Sequence, residues 1–128
     1  MKSQLQQRAR KGILAIEGVV ESPGIFGEHD AFWVNGKQIA HFLDDDHLQL
    51  RLTRRVIAAQ RGRLRTDPRV QLRSGMSDWL KLRISSNKDL PFALELTELA
   101  ASAHRPGAGV PAKPPPIGAD LARRRRFH

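Results

Sequence analysis

The sequence contains no cysteine, and this absence removes several kinds of chemistry at once. Without thiols the chain forms no disulfide, binds no metal through thiolates and has no cysteine nucleophile. This fits a reducing compartment, so we expect a cytoplasmic protein. No apolar run reaches the roughly 20 residues of a membrane helix, and we expect no membrane association. The N-terminal stretch has basic residues but lacks the apolar segment and cleavage site of a secretion signal.

Familiar catalytic motifs are also missing. The chain has no glycine-rich phosphate loop after a strand, no nucleophile elbow and no HExxH zinc motif. Ser74 and Ser77 have no evident base that would activate them. We therefore expect no cofactor and no bound metal, and a binding protein is favoured over an enzyme.

Composition divides the chain into a domain and a tail. The 128 residues, 40% of them hydrophobic, suffice for one core. Of the net charge of +9, residues 105–128 contribute six Lys and Arg against one acid, and residues 1–104 contribute sixteen against twelve. Residues 105–128 also hold five prolines and three glycines, which cannot sustain a core. We predict a single α+β domain over 1–104 and a disordered Pro/Gly/Arg-rich tail over 105–128. The positive charge favours an anionic partner, nucleic acid first.

Hydrophobic periodicity predicts the fold class. Apolar residues recur at helical spacing in three segments, namely 3–19, 54–61 and 90–104. Alternating apolar residues predict three strands within 31–52 and two more at 69–73 and 79–84. This order favours an α+β fold, with an antiparallel sheet of about five strands and the N- and C-terminal helices packed on one face.

Asn35 and Gly36 are the strongest local signal, because a type I′ hairpin turn needs positive φ at both central positions. Such a turn fixes the register, so that Val34 pairs with Lys37, Phe32 with Ile39 and Asp30 with His41. One face of the hairpin then carries Phe32, Val34, Ile39, His41 and Leu43. The other face carries Trp33, Gln38, Ala40 and Phe42.

The loop over residues 44–46 decides on which side Leu48, Leu50 and Leu52 lie. A loop of two or four residues places them beside Ile39 and Leu43. A three-residue loop places them beside Trp33 and Phe42, because a one-residue slip exchanges the two faces of a strand. We favour the even loop because it creates one coherent apolar face.

If the helices cover the leucine-rich face, the opposite face combines cations with aromatic rings. The residues predicted to bind an anionic partner are Arg51, Arg69, Arg73, Lys81, Arg83, Trp33 and Trp79. Cations attract phosphates and rings stack on bases, as a single-stranded nucleic acid or an anionic aromatic ligand requires. Arg and Lys are also ordinary on a solvated sheet face. However, residues 51–73 hold eight arginines against one acid.

A second group of polar residues gathers near the turn. His41, His47 and Asp30 are weak catalytic candidates, with three more carboxylates at residues 44–46. Imidazole beside carboxylates suits acid–base chemistry or a divalent cation. The commoner interpretation is a histidine held by one carboxylate and a turn rich in ordinary turn aspartates.

The chain also resembles a known family. The segments that carry the resemblance are FGEHDAFWVNGKQIAHF, LQLRLT, DPRV, SDWLKLRI and the later D-L-x3-LELTELAASAHR. In order and spacing they are similar to the small luciferase-domain proteins, over roughly residues 5–105. The family name implies no light emission and transfers no catalytic residue. Family members often have H-x-H after the second strand's isoleucine and a histidine opening the next strand. His41 and His47 match that pattern, whereas Leu43 replaces the second histidine, which weakens a shared metal site. A more distant resemblance to YjbR-like small proteins implies an α+β fold with an open antiparallel sheet.

Three functional hypotheses follow. The leading one is a non-catalytic module that binds nucleic acid or another anionic ligand through the basic sheet face and the Arg-rich tail. The alternative is a small enzyme or metal-assisted catalyst that uses His41, His47 and nearby carboxylates. The third is an accessory protein whose tail, residues 105–128, docks a protein partner.

Overall fold

A computed structural model describes residues 3–24, 31–73 and 77–107 of the chain. The helices are α1 (Gln4–Leu14), α2 (Arg54–Ala59), α3 (Arg61–Thr66) and α4 (Leu90–His104), the last preceded by a 3-10 turn (Asn87–Asp89). The strands are β1 (Val20–Ser22), β2 (Ala31–Val34), β3 (Lys37–Asp44), β4 (His47–Arg51), β5 (Val70–Leu72) and β6 (Trp79–Arg83). They form an antiparallel sheet in the order β1-β2-β3-β4-β6-β5. The α+β prediction is confirmed, with six strands instead of about five.

The additional strand, β1, begins directly after the segment 3–19 that the sequence predicts as the first helix. That helix ends at Leu14, and Gly18, with a φ of +88°, redirects the chain. Only glycine adopts such a φ at little cost. The chain then pairs with β2, Val20 lying opposite Trp33. Arg10 of α1 donates a hydrogen bond of 2.9 Å to Glu21, which ties the short strand to the helix.

α1 and α4 pack on one face of the sheet. α4 contacts α1 on one side and β3 and β4 on the other. The contact with α1 is close, since a Cβ at Gly12 would lie 2.8 Å from the Leu94 methyl groups. Beneath the helices lie the fully buried sheet side chains of Phe32, Leu48, Leu50, Leu80 and Leu82, and Leu96 of α4 is fully buried as well. A capping box lies ahead of α4, with the side chains of Ser86 and Asp89 each accepting a hydrogen bond from the other's backbone N–H.

The segment after β4 forms two short helices where the sequence predicts one. Thr53 begins α2, and its hydroxyl accepts a hydrogen bond from the Val56 N–H. The helix ends at Gln60, whose ψ of 9° breaks the helical path, and α3 continues beyond it through Gly62. α2 buries Ile57 and α3 buries Leu64, so each helix is held by one apolar anchor.

Two β-bulges change the predicted register. The turn at Asn35 and Gly36 forms as predicted, with φ of 54° and 77°. Beyond it, Trp33 pairs with Gln38 but Phe32 pairs with Ala40, so one residue of β3 is extra. A second irregularity lies between Phe42 and Asp44. A bulge inserts one residue and moves every later side chain to the other face.

The predicted hairpin faces are therefore wrong beyond the first bulge. The loop is even, because Asp44 pairs with His47, but Phe42 pairs with Leu48 and Ala40 with Leu50. The leucines thus lie beside Ala40 and Phe42, and not beside Ile39 and Leu43. His41 correspondingly pairs with Gln49 on the face that points away from α1 and α4.

None of the helices in the described ranges combines the length and the apolar character that a membrane span requires. α4 ends at His104, the predicted end of the domain. From residue 108 onward, the predicted tail lies outside the described residues.

Candidate anion-binding face

The distal face is the side of the sheet that points away from α1 and α4. Leu48, Leu50, Leu80 and Leu82 point toward the helices, so the residues that alternate with them point the other way. The distal face comprises Trp33, His41, Gln49, Arg51, Gln71, Arg73, Trp79, Lys81 and Arg83. Six of the seven residues predicted to bind an anion belong to it, and Arg69 does not.

Trp79 organises the centre of the distal face. It pairs with Arg51 across the β4–β6 ladder, and its ring reaches over β4 to His41, at 5.8 Å between ring centroids. His41 is 8% exposed, and its Nδ1 lies 3.0 Å from the Gln38 side-chain nitrogen. Because an amide nitrogen only donates, this contact has Nδ1 of His41 as the acceptor. His41 is thus a buried residue of this face, and its ring packs against the ring of Trp79.

The guanidinium group of Arg51 makes only weak polar interactions among the described residues. Its Nη2 lies 4.0 Å from Oδ2 of Asp78, at the outer limit of an ion pair. Its Nε is buried and has no hydrogen-bond partner among the described residues. A buried donor without a partner costs roughly 1–3 kcal/mol, so Arg51 is held here by packing more than by its own hydrogen bonds.

A shallow depression on the distal face lies beside this centre. Its volume is about 590 Å³, and its lining consists of Leu43, Gln49, Gln71, Leu72, Arg73 and Lys81. Within the described ranges no carboxylate pairs with Arg73, Lys81 or Arg83. Unneutralised cations beside amide side chains give a surface that attracts anions and can hydrogen-bond polar groups.

The α2 cleft adjoins the depression. This cavity of about 120 Å³ lies between α2, the start of α3 and the ends of β5 and β6, and Leu72 and Arg73 line both hollows. Arg54 and Arg61 add two further guanidinium groups to Arg73. The sequence does not place these two arginines in the site, because the pattern of residues 54–61 predicts only a helix. The excess of arginine over residues 51–73 was the available signal.

Arg69 lies elsewhere, although the sequence groups it with the anion-binding residues. Its Nε and Nη2 donate to Asp67 at 2.9 and 2.7 Å, and its Nη1 donates to Asp89 at 3.2 Å. The hydrogen bond from Arg69 lowers the pKa of Asp67 below its usual value, and the same bond raises the pKa of Arg69. The charge of Arg69 is therefore neutralised by two carboxylates, those of Asp67 and Asp89.

His47 is bound within its own turn. Its Nδ1 lies 2.9 Å from Oδ1 of Asp44 and 3.1 Å from Oδ1 of Asp46. Desolvation acts to raise the pKa of Asp44, but hydrogen bonds from His47 and from the Asp46 N–H outweigh it, and the pKa is lowered. One ligand atom from each residue lies within 4.8 Å of the others, but a hydrogen-bonded Asx turn accounts for this geometry.

The three catalytic candidates do not form one site among the described residues. His41 contacts Gln38 and Trp79, whereas His47 contacts Asp44 and Asp46. Asp30 lies outside the described residues.

Comparison of the chain with protein-family models, with curated proteins and with solved structures finds no match. The resemblance to the luciferase-domain proteins therefore stays a prediction.

Proposed function

We propose that this protein binds single-stranded nucleic acid on its distal face, as a binding module without catalysis. One observation carries the proposal: the described residues that line the depression and the adjoining α2 cleft include three arginines and a lysine but no carboxylate. Acidic side chains elsewhere in the fold pair with Arg10, Arg63, Arg69 and Arg105. Cations are thus left without acidic partners on the surface where a ligand would lie.

Unpaired bases suit this surface better than a duplex does. Trp79 is half-buried at its centre, and a ring of this kind stacks on any base. Gln49 and Gln71 offer amide donors and acceptors beside Lys81, within reach of base edges. These side chains lie on an open depression of the sheet. Reading a duplex in its major groove would instead require a projecting element such as a helix.

The dependence of the affinity on salt concentration provides the first test of the proposed binding. The affinity for a single strand falls with salt at a logarithmic slope of about 0.7 per phosphate contact, so the four cations that line the two hollows predict a slope of about 2.8. Fluorescence anisotropy with a labelled strand of about 12 nucleotides, from about 50 to 300 mM salt, measures it. A matching duplex should bind more weakly.

Two substitutions on the distal face test the location. Arg73→Ala and Lys81→Ala each remove an unpaired cation and should weaken binding several-fold. Lys11→Ala is the matched control, because it removes the same charge from an exposed position on α1, across the sheet. No binding at about 50 mM salt, or equal losses in all three variants, would overturn the proposal.

The histidine-based enzyme is not favoured, because His41 and His47 have separate partners among the described residues. The cytoplasm and a role for residues 105–128 in binding stay predictions.

A further inference from the structure

The α2 cleft differs from the open depression on the distal face because side chains enclose it on several sides. Arg54 at the start of α2, Arg61 at the start of α3 and Arg73 after β5 reach it from three separate elements. Its apolar lining comes from Ile57, Leu72 and Trp79, and the cavity of about 120 Å³ holds several water-sized groups. No carboxylate is among the described residues that line it. Three guanidinium groups around one small hollow repel one another unless an anion lies between them.

The backbone that carries Arg54 is firmly held. The Thr53 N–H donates to the Asp78 carbonyl at 3.0 Å, and the Arg54 N–H donates to Oδ1 of Asp78 at 2.9 Å. Asp78 is therefore occupied by a backbone N–H, and its other oxygen lies 4.0 Å from Arg51. The nearby acid positions the start of α2 and does not pair with the side chain of Arg54 within the described structure.

The charge and the size of the cleft indicate its ligand. Guanidinium groups bind phosphate oxygens through paired donors, and the planar fork favours phosphate over a spherical anion. A phosphate monoester carries about −1.5 to −2 charges at neutral pH, as phosphorylated side chains do, whereas a backbone diester carries −1. Three arginines match the monoester better. In a nucleic acid strand a monoester occurs only at an end, and the hollow holds a phosphate-sized group.

We infer that the α2 cleft binds the terminal phosphate monoester of a strand whose neighbouring nucleotides lie along the depression. This inference rests on the proposed function and adds an end specificity to it. Leu72 and Arg73 line both hollows, so a strand can pass from one to the other without leaving the protein surface.

The test compares three strands of one sequence, with a 5′-phosphate, a 3′-phosphate or hydroxyl groups at both ends. One phosphorylated strand should bind about tenfold more tightly than the hydroxyl strand, which also identifies the end. Arg54→Ala and Arg61→Ala should remove most of this preference, so that each variant binds the phosphorylated and the hydroxyl strand with nearly equal affinity. Arg65→Ala, an exposed arginine of α3 that does not line the cleft, is the matched control and should retain the preference. Thermal unfolding of each variant verifies its fold.

The outcomes separate the two proposals. Equal affinity for all three strands, with a steep salt dependence, would overturn the terminal-phosphate site and leave the proposed function standing. A preference that survives in both Arg54→Ala and Arg61→Ala would also overturn the site. Failure of every strand to bind would overturn both proposals.

Discussion

The guanidinium carbon of Arg69 lies 4.2 Å from the centroid of the Phe92 ring. Arg69 also bonds Asp67 before β5 and Asp89 before α4. This one side chain therefore joins the edge of the sheet to the start of the C-terminal helix. Its sequence neighbourhood, rich in arginine, suggests an anion-binding cation, whereas its contacts are those of a structural residue.

Substitution of Arg69 should affect stability more than binding. Arg69→Ala removes charge-assisted hydrogen bonds and a cation–π contact, and we expect a loss of about 2 kcal/mol in the free energy of unfolding. Affinity for a single strand should change less than twofold. Arg73→Ala should show the opposite pattern, with little change in urea unfolding and weaker binding. Equal effects of the two substitutions on both quantities would contradict this division.

The carboxylates around Arg69 should make stability fall in acid. The hydrogen bond from Arg69 lowers the pKa of Asp67 below the ordinary 3.8. Desolvation acts to raise the pKa of Asp89, but hydrogen bonds from the Ser85 N–H and Arg69 prevail, and it too is lowered below 3.8. Because both folded-state pKa values are depressed, their contribution is fully present above the unfolded value and is lost as pH falls through the folded values.

Urea unfolding between about pH 5 and pH 2 measures this loss. Asp89→Asn should be less stable than the parent at pH 7, and its stability should fall less steeply in acid. The prediction fails if the variant and the parent have parallel profiles.

A side chain at position 12 should require Leu94 to move. A Cβ at residue 12 would lie 2.8 Å from both Leu94 methyl groups, which must move aside. We expect Gly12→Val to destabilise the protein by roughly 1–3 kcal/mol through overpacking. In the double variant with Leu94→Ala, the total loss should be smaller than the sum of the single losses. Strict additivity would show that the two residues do not constrain each other.

Replacing Thr53 with glycine should increase the stability of the fold. Its φ of 81° and ψ of 151° lie in a region that β-branched residues avoid, at a cost of about 1–3 kcal/mol. Thr53→Gly relieves this strain and loses only a few tenths of a kcal/mol in capping, so we expect a gain of about 1 kcal/mol. Thr53→Ala keeps the strain, loses the cap and should destabilise by about 1 kcal/mol. Equal melting temperatures of the two variants would contradict the strain argument.

Local chemistry explains which parts of this fold the sequence predicts. The turn at Asn35 and Gly36 and the capping box of Ser86 and Asp89 depend on residues one and three positions apart, and the turn forms as predicted. The helix to His104 follows from its own periodicity.

The bulges were not predictable in the same way, because accommodating an extra residue depends on packing across the sheet. The bulge between Phe42 and Asp44 reverses the side on which Leu48 lies relative to Ile39. Of the candidate site, the cations of β4 and β6 follow from strand alternation. Arg54 and Arg61 do not, because their approach to β5 depends on the break at Gln60.

The order of the strands has a consequence for how the molecule is assembled. β2, β3 and β4 meet through short turns, but β4 pairs next with β6, across residues 52–78. Closing a segment of that length costs more chain entropy than closing the local hairpins does. Arg51 and Trp79 meet only at this step. A nascent chain that has not yet released β6 from the ribosome can therefore form its tight turns but not the complete distal face.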